Sequence, residues 1–179
     1  MACLFTGEAL GRYGFPGGHP FGPDRLEAFM VEARRRGLDQ KASLCDPERA
    51  SPAVLERFHE PGYIERVQHL SAQGTGSLDL GDTPAFPGVY EAAATVVGSV
   101  VKAVASAMDG RFPRCLVPIA GLHHARRDRA AGFCVFNDCG VAIAALQARH
   151  GLTRIAYVDI DAHHGDGVFY TFEAAPAVW

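Results

Sequence analysis

The sequence predicts an α/β fold in which a parallel sheet lies between layers of helices. Two short apolar runs, residues 115–120 and 153–160, have the length and the β-branched content of buried strands. A helical pattern at residues 138–149 separates them, so the three segments form a βαβ unit with parallel strands. Polar side chains follow both strands directly, and open α/β sheets bind ligands at the carboxyl ends of their strands. We therefore expect the two polar clusters to converge.

Capping residues, turn residues and apolar periodicity predict the remaining elements. A first strand is expected at residues 2–5. The long, polar connection at residues 121–137 is typical of a functional loop. Further helices are predicted at residues 24–36, from residue 51, at residues 63–72 and at residues 89–108.

The composition is that of an ordinary globular protein. The chain has 179 residues, of which 48% are hydrophobic and 21% charged, and its net charge is −3. This length is enough for one domain with its own core. The charge gives no indication of a nucleic-acid or membrane partner, and we expect neither. Because Glu91 and Lys102 interrupt the apolar stretch 89–108, we interpret it as a buried helix.

The five cysteines form no CxxC pair, and their number is odd. Free thiols are the simplest interpretation, and the first residues lack the regions of a signal peptide. We therefore expect a cytoplasmic protein. Cys134 directly follows Gly132 and Phe133 within the polar loop, so a nearby positive ion would lower its pKa, although a buried and inert thiol is the more common case.

Residues 157–167 concentrate ionisable side chains. Such a density of charge is costly to bury unless the groups are paired or bound to a metal. Asp161 and His163 are two apart at the end of a predicted strand, so their side chains point the same way. Carboxylate and imidazole together suit Zn²⁺ or Fe²⁺ better than Ca²⁺. We predict Asp161 and His163 as two ligands of one metal, and no third ligand is evident in the sequence.

The tandem histidines His123 and His124 lie in the other cluster. A histidine can take a proton from a metal-bound water and return it to a leaving amine. Each imidazole needs a partner that fixes its tautomer, usually a carboxylate, and Asp159 and Asp166 are available. We therefore predict two His–Asp dyads beside one metal. Four other histidines are interpreted as surface or loop residues: His19, His59, His69 and His150.

Three motifs resemble those of the histone deacetylase superfamily, and most of all its bacterial acetoin-utilisation-type members. They are Gly121-Leu-His-His-Ala, Gly132-Phe-Cys-Val-Phe-Asn-Asp and Tyr157-Val-Asp-Ile-Asp-Ala-His-His-Gly-Asp-Gly. Weaker signals near residues 18–25 and 58–64 extend the resemblance over the whole chain. The resemblance implies an arginase/deacetylase-like three-layer fold, with a parallel sheet between helices. It also implies metal-dependent hydrolysis of an acyl amide, with acetyl-lysine or a small acylated amine as substrate.

The resemblance assigns catalytic roles to both predicted dyads. His124 resembles the general base, with Asp166 as its partner. His123 resembles a second, electrostatic histidine, with Asp159 as its partner. The family's second aspartate ligand and its carbonyl-polarising tyrosine are expected later in sequence than residue 179.

The resemblance also implies a metal site and a substrate channel. Asp161 and His163 resemble the ligands of Zn²⁺, with Fe²⁺ as the alternative. Gly132 and Phe133 resemble the wall of an acyl-chain channel. Backbone carbonyls around Asp159, Asp161 and His163 resemble a structural site for a monovalent cation such as K⁺.

We expect residues 1–179 to be the N-terminal portion of one deacetylase domain, with the C-terminal portion absent from this chain. The sheet would then be cut near Trp179, leaving an apolar edge exposed. A second polypeptide or a dimer partner is expected to complete the sheet. The chain alone is expected to be inactive and poorly stable.

Two alternatives stay open at this point. An arginase-like ureohydrolase with two Mn²⁺ ions shares Asp161 and His163, but Gly165 stands where its next aspartate is expected. A non-catalytic module that binds an acyl group or a partner is consistent with the missing third ligand. Zinc titration discriminates, because a two-ligand site binds weakly and a complete one binds tightly.

Overall fold

A computed structural model describes residues 1–179 and has a sheet of three parallel strands. The central strand carries Cys3 and Leu4, which are both buried, and a neighbouring strand pairs with each of its edges. The chain is thus an α/β protein with a parallel sheet, as predicted. The strands are β1 (Ala2–Phe5), β2 (Ala42–Cys45) and β3 (Arg114–Leu116), in the order β2-β1-β3.

Seven helices surround this sheet, and all the predicted helices are present. The fourth helix begins at Pro61, two residues earlier than predicted, because the first helical position needs no N–H donor. The helices are α1 (Glu8–Gly11), α2 (Arg25–Arg35), α3 (Pro52–Leu55), α4 (Pro61–Gln73), α5 (Val89–Met108), α6 (Asp138–His150) and α7 (Asp166–Phe172).

Helix α5 forms the centre of the core. By length and composition alone it could cross a membrane, but 56% of its most apolar window is buried inside the protein. Gly98 lets a loop pack directly on the helix, since a Cβ there would lie 2.2 Å from the carbonyl oxygen of Glu48. The same loop donates the Ala50 N–H to the carbonyl of Ala94 at 2.9 Å. The interpretation of residues 89–108 as a buried helix is therefore confirmed.

The predicted strand at residues 153–160 is wrong, and so is the βαβ unit built on it. Of its apolar side chains Ile155 is buried, whereas Val158 and Ile160 are 80% and 94% exposed. The backbone pairs with residues 177–179 and not with β3. Further along, the carboxylates of Asp159 and Asp161 accept backbone N–H groups two residues ahead. These local bonds compete with a strand ladder and turn the chain.

Three further elements differ from those predicted. The strand predicted at residues 115–120 ends at Leu116, because Pro118 has no N–H to donate to a ladder. Strand β2 was not predicted. Helix α7 (Asp166–Phe172) was not predicted either, and the acidic Asp166 lies in its first turn, where the helix dipole favours it.

The cysteines are not all free thiols. A disulfide joins Cys3 and Cys45, whose Cα atoms are 6.2 Å apart on the neighbouring strands β1 and β2. The pairing was missed because β2 was missed, and without β2 the two residues have no reason to be close. Cys115, Cys134 and Cys139 are free.

Candidate active site

The loop at residues 121–137 is fixed by the residue that caps α6. Asn137 is the N-cap of this helix and accepts the N–H of Gly140 at 2.8 Å. Its side-chain amide donates to the carbonyl oxygens of His123 and Ala125, at 3.3 Å and 2.8 Å. Asn137 therefore ties the histidine segment to the helix. The helix that Asn137 caps begins at Asp138, the first residue of the predicted helical pattern.

Asp138 turns back to the same loop. Its carboxylate accepts the N–H of Leu122 at 2.7 Å and that of Gly121 at 3.0 Å. Complete burial raises the pKa of this carboxyl, and the two N–H bonds oppose that shift. Asn137 and Asp138 thus hold the two sides of the loop segment that carries the tandem histidines.

His59 was interpreted as a surface or loop residue, and it lies in the loop between α3 and α4, but it is buried and not on the surface. It is 1% exposed, and its Nε2 accepts the backbone N–H of Asn137 at 2.9 Å. Burial lowers the pKa of His59 from 6.5 to about 4, so the ring is neutral at physiological pH. His59 therefore supports Asn137 from the side opposite to the tandem histidines.

The two predicted His–Asp pairs are both present in the structure. His123 Nδ1 lies 2.6 Å from a carboxylate oxygen of Asp159, and His124 Nδ1 lies 2.8 Å from one of Asp166. The two Nε2 atoms are 3.2 Å apart. The carboxylates accept, so each Nδ1 donates. The geometry therefore brings the two Nε2 atoms together at one point.

Asp166 serves two donors at once. Its second oxygen accepts from Arg126 at 2.9 Å. Partial burial raises the pKa of Asp166, but the hydrogen bonds from His124 and Arg126 outweigh it and hold this pKa below its usual value. Tyr157 plays a similar part in the other pair, because its hydroxyl donates to Asp159 at 2.8 Å.

Asp159 is kept ionised in the same way. Partial burial raises its pKa, and the hydrogen bond from His123 leads the contacts that lower it overall. Gly165 allows the close approach, since a Cβ at this position would lie 2.6 Å from a carboxylate oxygen of Asp159. Sequence reasoning missed the supporting roles of Tyr157 and Arg126, although Tyr157 begins one of the motifs that it singled out and Arg126 directly follows another.

The predicted metal ligands lie beside these pairs. His163 Nδ1 is 2.7 Å from a carboxylate oxygen of Asp161, and the rings of His163 and His124 are 6.0 Å apart. Both ligand candidates are exposed, and no group of three or more metal-binding side chains is present. Carboxylate and imidazole are donors that zinc takes, so the pair fits part of a zinc site in type and place. Its function as a metal site stays a prediction.

Gly132 and Phe133 form a tight turn against His124. Ala131 and Cys134 exchange backbone hydrogen bonds at 3.2 Å and 2.9 Å, and the two residues between them have φ of 52° and 69°. Positive φ at both central positions defines a type I′ turn. A Cβ on Gly132 would lie 2.6 Å from the His124 ring, so only glycine fits there. The predicted channel residues therefore adjoin the general-base candidate, and their channel role stays a prediction.

Cys134 behaves as a buried thiol. It is 5% exposed, and burial raises its pKa to about 12. The structure therefore agrees with the buried thiol that was expected as the more common case. We expect no reactive thiolate at this position.

An open cavity of about 480 Å³ lies next to the pairs. Arg126, Gly132 and Asp166 line its inner side, and residues 78–82 line its outer side. Leu80 at the tip of this outer loop is fully exposed. The cavity gives a small ligand direct access to the second His–Asp pair.

The neutral state of His59 has a consequence for stability against pH. The pKa of His59 is lower in the folded protein than the 6.5 of the unfolded chain, so the unfolded chain binds its proton first as the pH falls. Stability is therefore complete above pH 6.5, and we expect a loss on the order of 3 kcal/mol between pH 6.5 and about 4. Urea denaturation of His59→Gln at several pH values should show a flatter dependence of the free energy of unfolding on pH. The control His69→Gln replaces an exposed histidine and should retain the pH dependence of the parent. Parallel profiles for parent and His59→Gln would contradict this.

The fold and the site together define a class of protein. It is an α/β protein with two carboxylate-paired histidines and a carboxylate–imidazole pair at one site. Comparison of the sequence with family models matches residues 19–179 to the histone deacetylase domain. The chain belongs to the histone deacetylase family, and the resemblance drawn from its motifs is confirmed.

Individual relatives agree with this assignment. The acetoin utilization protein AcuC of Bacillus subtilis is 36% identical over 173 residues, which are 93% of this chain and 44% of the relative. The polyamine deacetylase HDAC10 of Homo sapiens is 35% identical over 163 residues, 87% of this chain and 24% of the relative. The crystal structure of the HDA15 HD domain superposes with a TM-score of 0.91 at 24% identity, over 99% of this chain and 51% of that one.

The structural match confirms the arginase/deacetylase-like α/β fold. The chain spans about half of the solved domain that it matches and less than half of the relatives named above. The three motifs that begin at Gly121, Gly132 and Tyr157 lie within the matched residues.

Proposed function

We propose that the intact protein hydrolyses an acyl amide, with acetyl-lysine or a small acetylated amine as its substrate. One observation carries the proposal: the Nε2 atoms of His123 and His124 converge at 3.2 Å while each Nδ1 is bound to a carboxylate. This arrangement suits proton transfer at a single point in space. The relatives that are named deacetylases support the same reaction.

The hydrogen bonds of the two His–Asp pairs suggest a role for each residue. His124 takes a proton from the attacking water at Nε2 and later returns it to the leaving amine. Asp166 fixes the tautomer by accepting the Nδ1 proton, and Arg126 holds Asp166 in place. His123, held by Asp159, stabilises the charge that develops next to the reacting carbonyl.

Asp161 and His163 would hold the metal, with Zn²⁺ proposed and Fe²⁺ as the alternative. When bound, such an ion polarises the amide carbonyl and makes water more acidic. The remaining ligands would come from outside residues 1–179. Backbone carbonyls around Asp159, Asp161 and His163 are proposed to hold a structural K⁺ ion.

The face next to residues 157–179 is proposed to be covered in the intact protein. A cavity of about 750 Å³ opens there, and its lining includes Phe169, Phe172 and Trp179. Val158 and Ile160 are also exposed nearby. Such a patch of apolar side chains marks an interaction surface. The rest of the deacetylase domain, a second polypeptide or a dimer partner would bury it.

Metal removal tests the proposed reaction. We expect the intact protein to release acetate from an acetyl-lysine peptide or N-acetylputrescine, to lose this activity on dialysis against a chelator, and to regain it with Zn²⁺ or Fe²⁺. Residual activity of the chelated protein should be about a hundredfold lower, because a bound metal supplies several kcal/mol of transition-state stabilisation. Acetate release can be followed by a coupled assay.

Each alternative function predicts a different experimental result. Urea release from arginine, with two tightly bound Mn²⁺ ions per chain, would support the arginase-like reading, which the family match disfavours. Tight zinc binding without turnover of any acyl amide would support a non-catalytic module.

A further inference from the structure

Phe133 is the one residue other than glycine with a positive φ, at 69°. For an L-residue this conformation is unfavourable by roughly 1–2 kcal/mol. Two side chains from distant parts of the sequence hold it. Tyr13 donates its hydroxyl to the carbonyl oxygen of Phe133 at 2.6 Å, and Thr83 Oγ1 accepts the N–H of Phe133 at 3.1 Å. Strained residues of this kind persist where the surroundings over-determine them, often at functional sites.

The hydroxyl of Thr83 is itself oriented. Thr83 is fully buried, and its hydroxyl proton is donated to the carboxylate of Asp79. The other carboxylate oxygen of Asp79 accepts the N–H groups of Gly81 and Thr83 at 2.8 Å and 2.9 Å. Because the single hydroxyl proton is used on Asp79, the oxygen presents a lone pair to the N–H of Phe133. The geometry is therefore directional and not a chance contact.

We infer that Asp79 and Thr83 form a specificity-determining clamp that sets the position of Phe133 and thereby the acyl chain that the site accepts. The inference rests on the proposed function and names two positioning residues for it. The turn that carries Phe133 adjoins His124, so a shift of the turn changes the space next to the reacting group. The Phe133 ring packs edge-on against His19 at 4.6 Å and lies 6.5 Å from Phe15, which leaves it one supported orientation.

Two substitutions at one position separate the hydroxyl from the bulk of the side chain. Thr83→Val is nearly isosteric but cannot accept from Phe133, whereas Thr83→Ser keeps the hydroxyl. In the intact protein, kcat/KM is measured for acetyl-, propionyl- and butyryl-lysine peptides. We expect Thr83→Val to change the acetyl-to-butyryl ratio by about tenfold, since one methylene in a pocket is commonly worth that much discrimination. Thr83→Ser should stay within about twofold of the parent ratio.

Thr95→Val is the matched control. Thr95 is also a buried threonine, and its hydroxyl donates to the carbonyl of Glu91 within α5, away from the site. The Thr95→Val variant should lose some thermal stability without changing the acetyl-to-butyryl ratio of kcat/KM. If Thr83→Val does not fold, Tyr13→Phe removes the other bond that positions Phe133, the one to its carbonyl oxygen, and it should also change the ratio.

The outcomes distinguish the two proposals. An unmodified parent that turns over none of the acyl-lysine peptides, nor N-acetylputrescine, removes the proposed function. A parent that is active, with Thr83→Val and Tyr13→Phe both showing the parental acyl ratio, removes the clamp and leaves the proposed function standing.

Discussion

His124→Ala in the intact protein should lower kcat for acetate release by about a hundred- to ten-thousand-fold, the usual contribution of a positioned general base. His124 is the histidine whose ring contacts the Gly132 turn and whose Nδ1 is bound to Asp166. KM should change little, because the ring acts on the proton and not on substrate binding. Steady-state kinetics with an acetyl-lysine peptide measure both parameters.

Two controls make this result specific. His69→Ala removes an exposed histidine of α4 and should leave kcat unchanged. Asp166→Asn keeps the shape of the partner but loses its charge, so it should fall between the parent and His124→Ala. An activity of His124→Ala within twofold of the parent would remove the general-base assignment.

The sequence predicted two His–Asp pairs, because both polar clusters follow predicted strands. The resemblance to the deacetylase motifs assigned the partners, and each histidine contacts its assigned aspartate, 36 or 42 residues away along the chain. In contrast, the burial of His59 could not be predicted. A lone histidine after an apolar residue carries no local signal, and its burial depends on Asn137, which is 78 residues away.

The fold was predictable to a similar extent. Helix α5 followed from composition, because an apolar stretch of this length has to be buried. The strand predicted at residues 153–160 is absent because an apolar run indicates a preference for strand structure but does not identify the segment with which it pairs. Its neighbour in the structure is the chain end near Trp179, and the bonds of Asp159 and Asp161 to nearby N–H groups take over beyond Tyr157.

The second large effect is expected at Gly167, where α7 packs on the histidine loop. A Cβ at Gly167 would lie 2.3 Å from the carbonyl oxygen of Ala125 and 2.5 Å from that of His123. Backbone atoms cannot yield as a flexible side chain does, so Gly167→Ala must displace α7. Overpacking of this kind is destabilising by about 1–3 kcal/mol. Asp166 precedes Gly167 directly, so the same displacement should lengthen its bond to His124.

We therefore expect Gly167→Ala to lose about a hundredfold in kcat, since a displacement near 1 Å has that effect on a positioned catalytic group. Gly62→Ala is the matched control, because Gly62 lies in helix α4 with open space around its Cβ position. The same substitution there should stabilise the protein slightly, by about 0.5 kcal/mol, and leave kcat unchanged. Thermal melts of both variants measure the opposite changes in stability, and steady-state kinetics measure kcat. If Gly167→Ala keeps parental kcat and stability, then α7 does not pack on the histidine loop as described, and the contact between Asp166 and His124 loses its structural support.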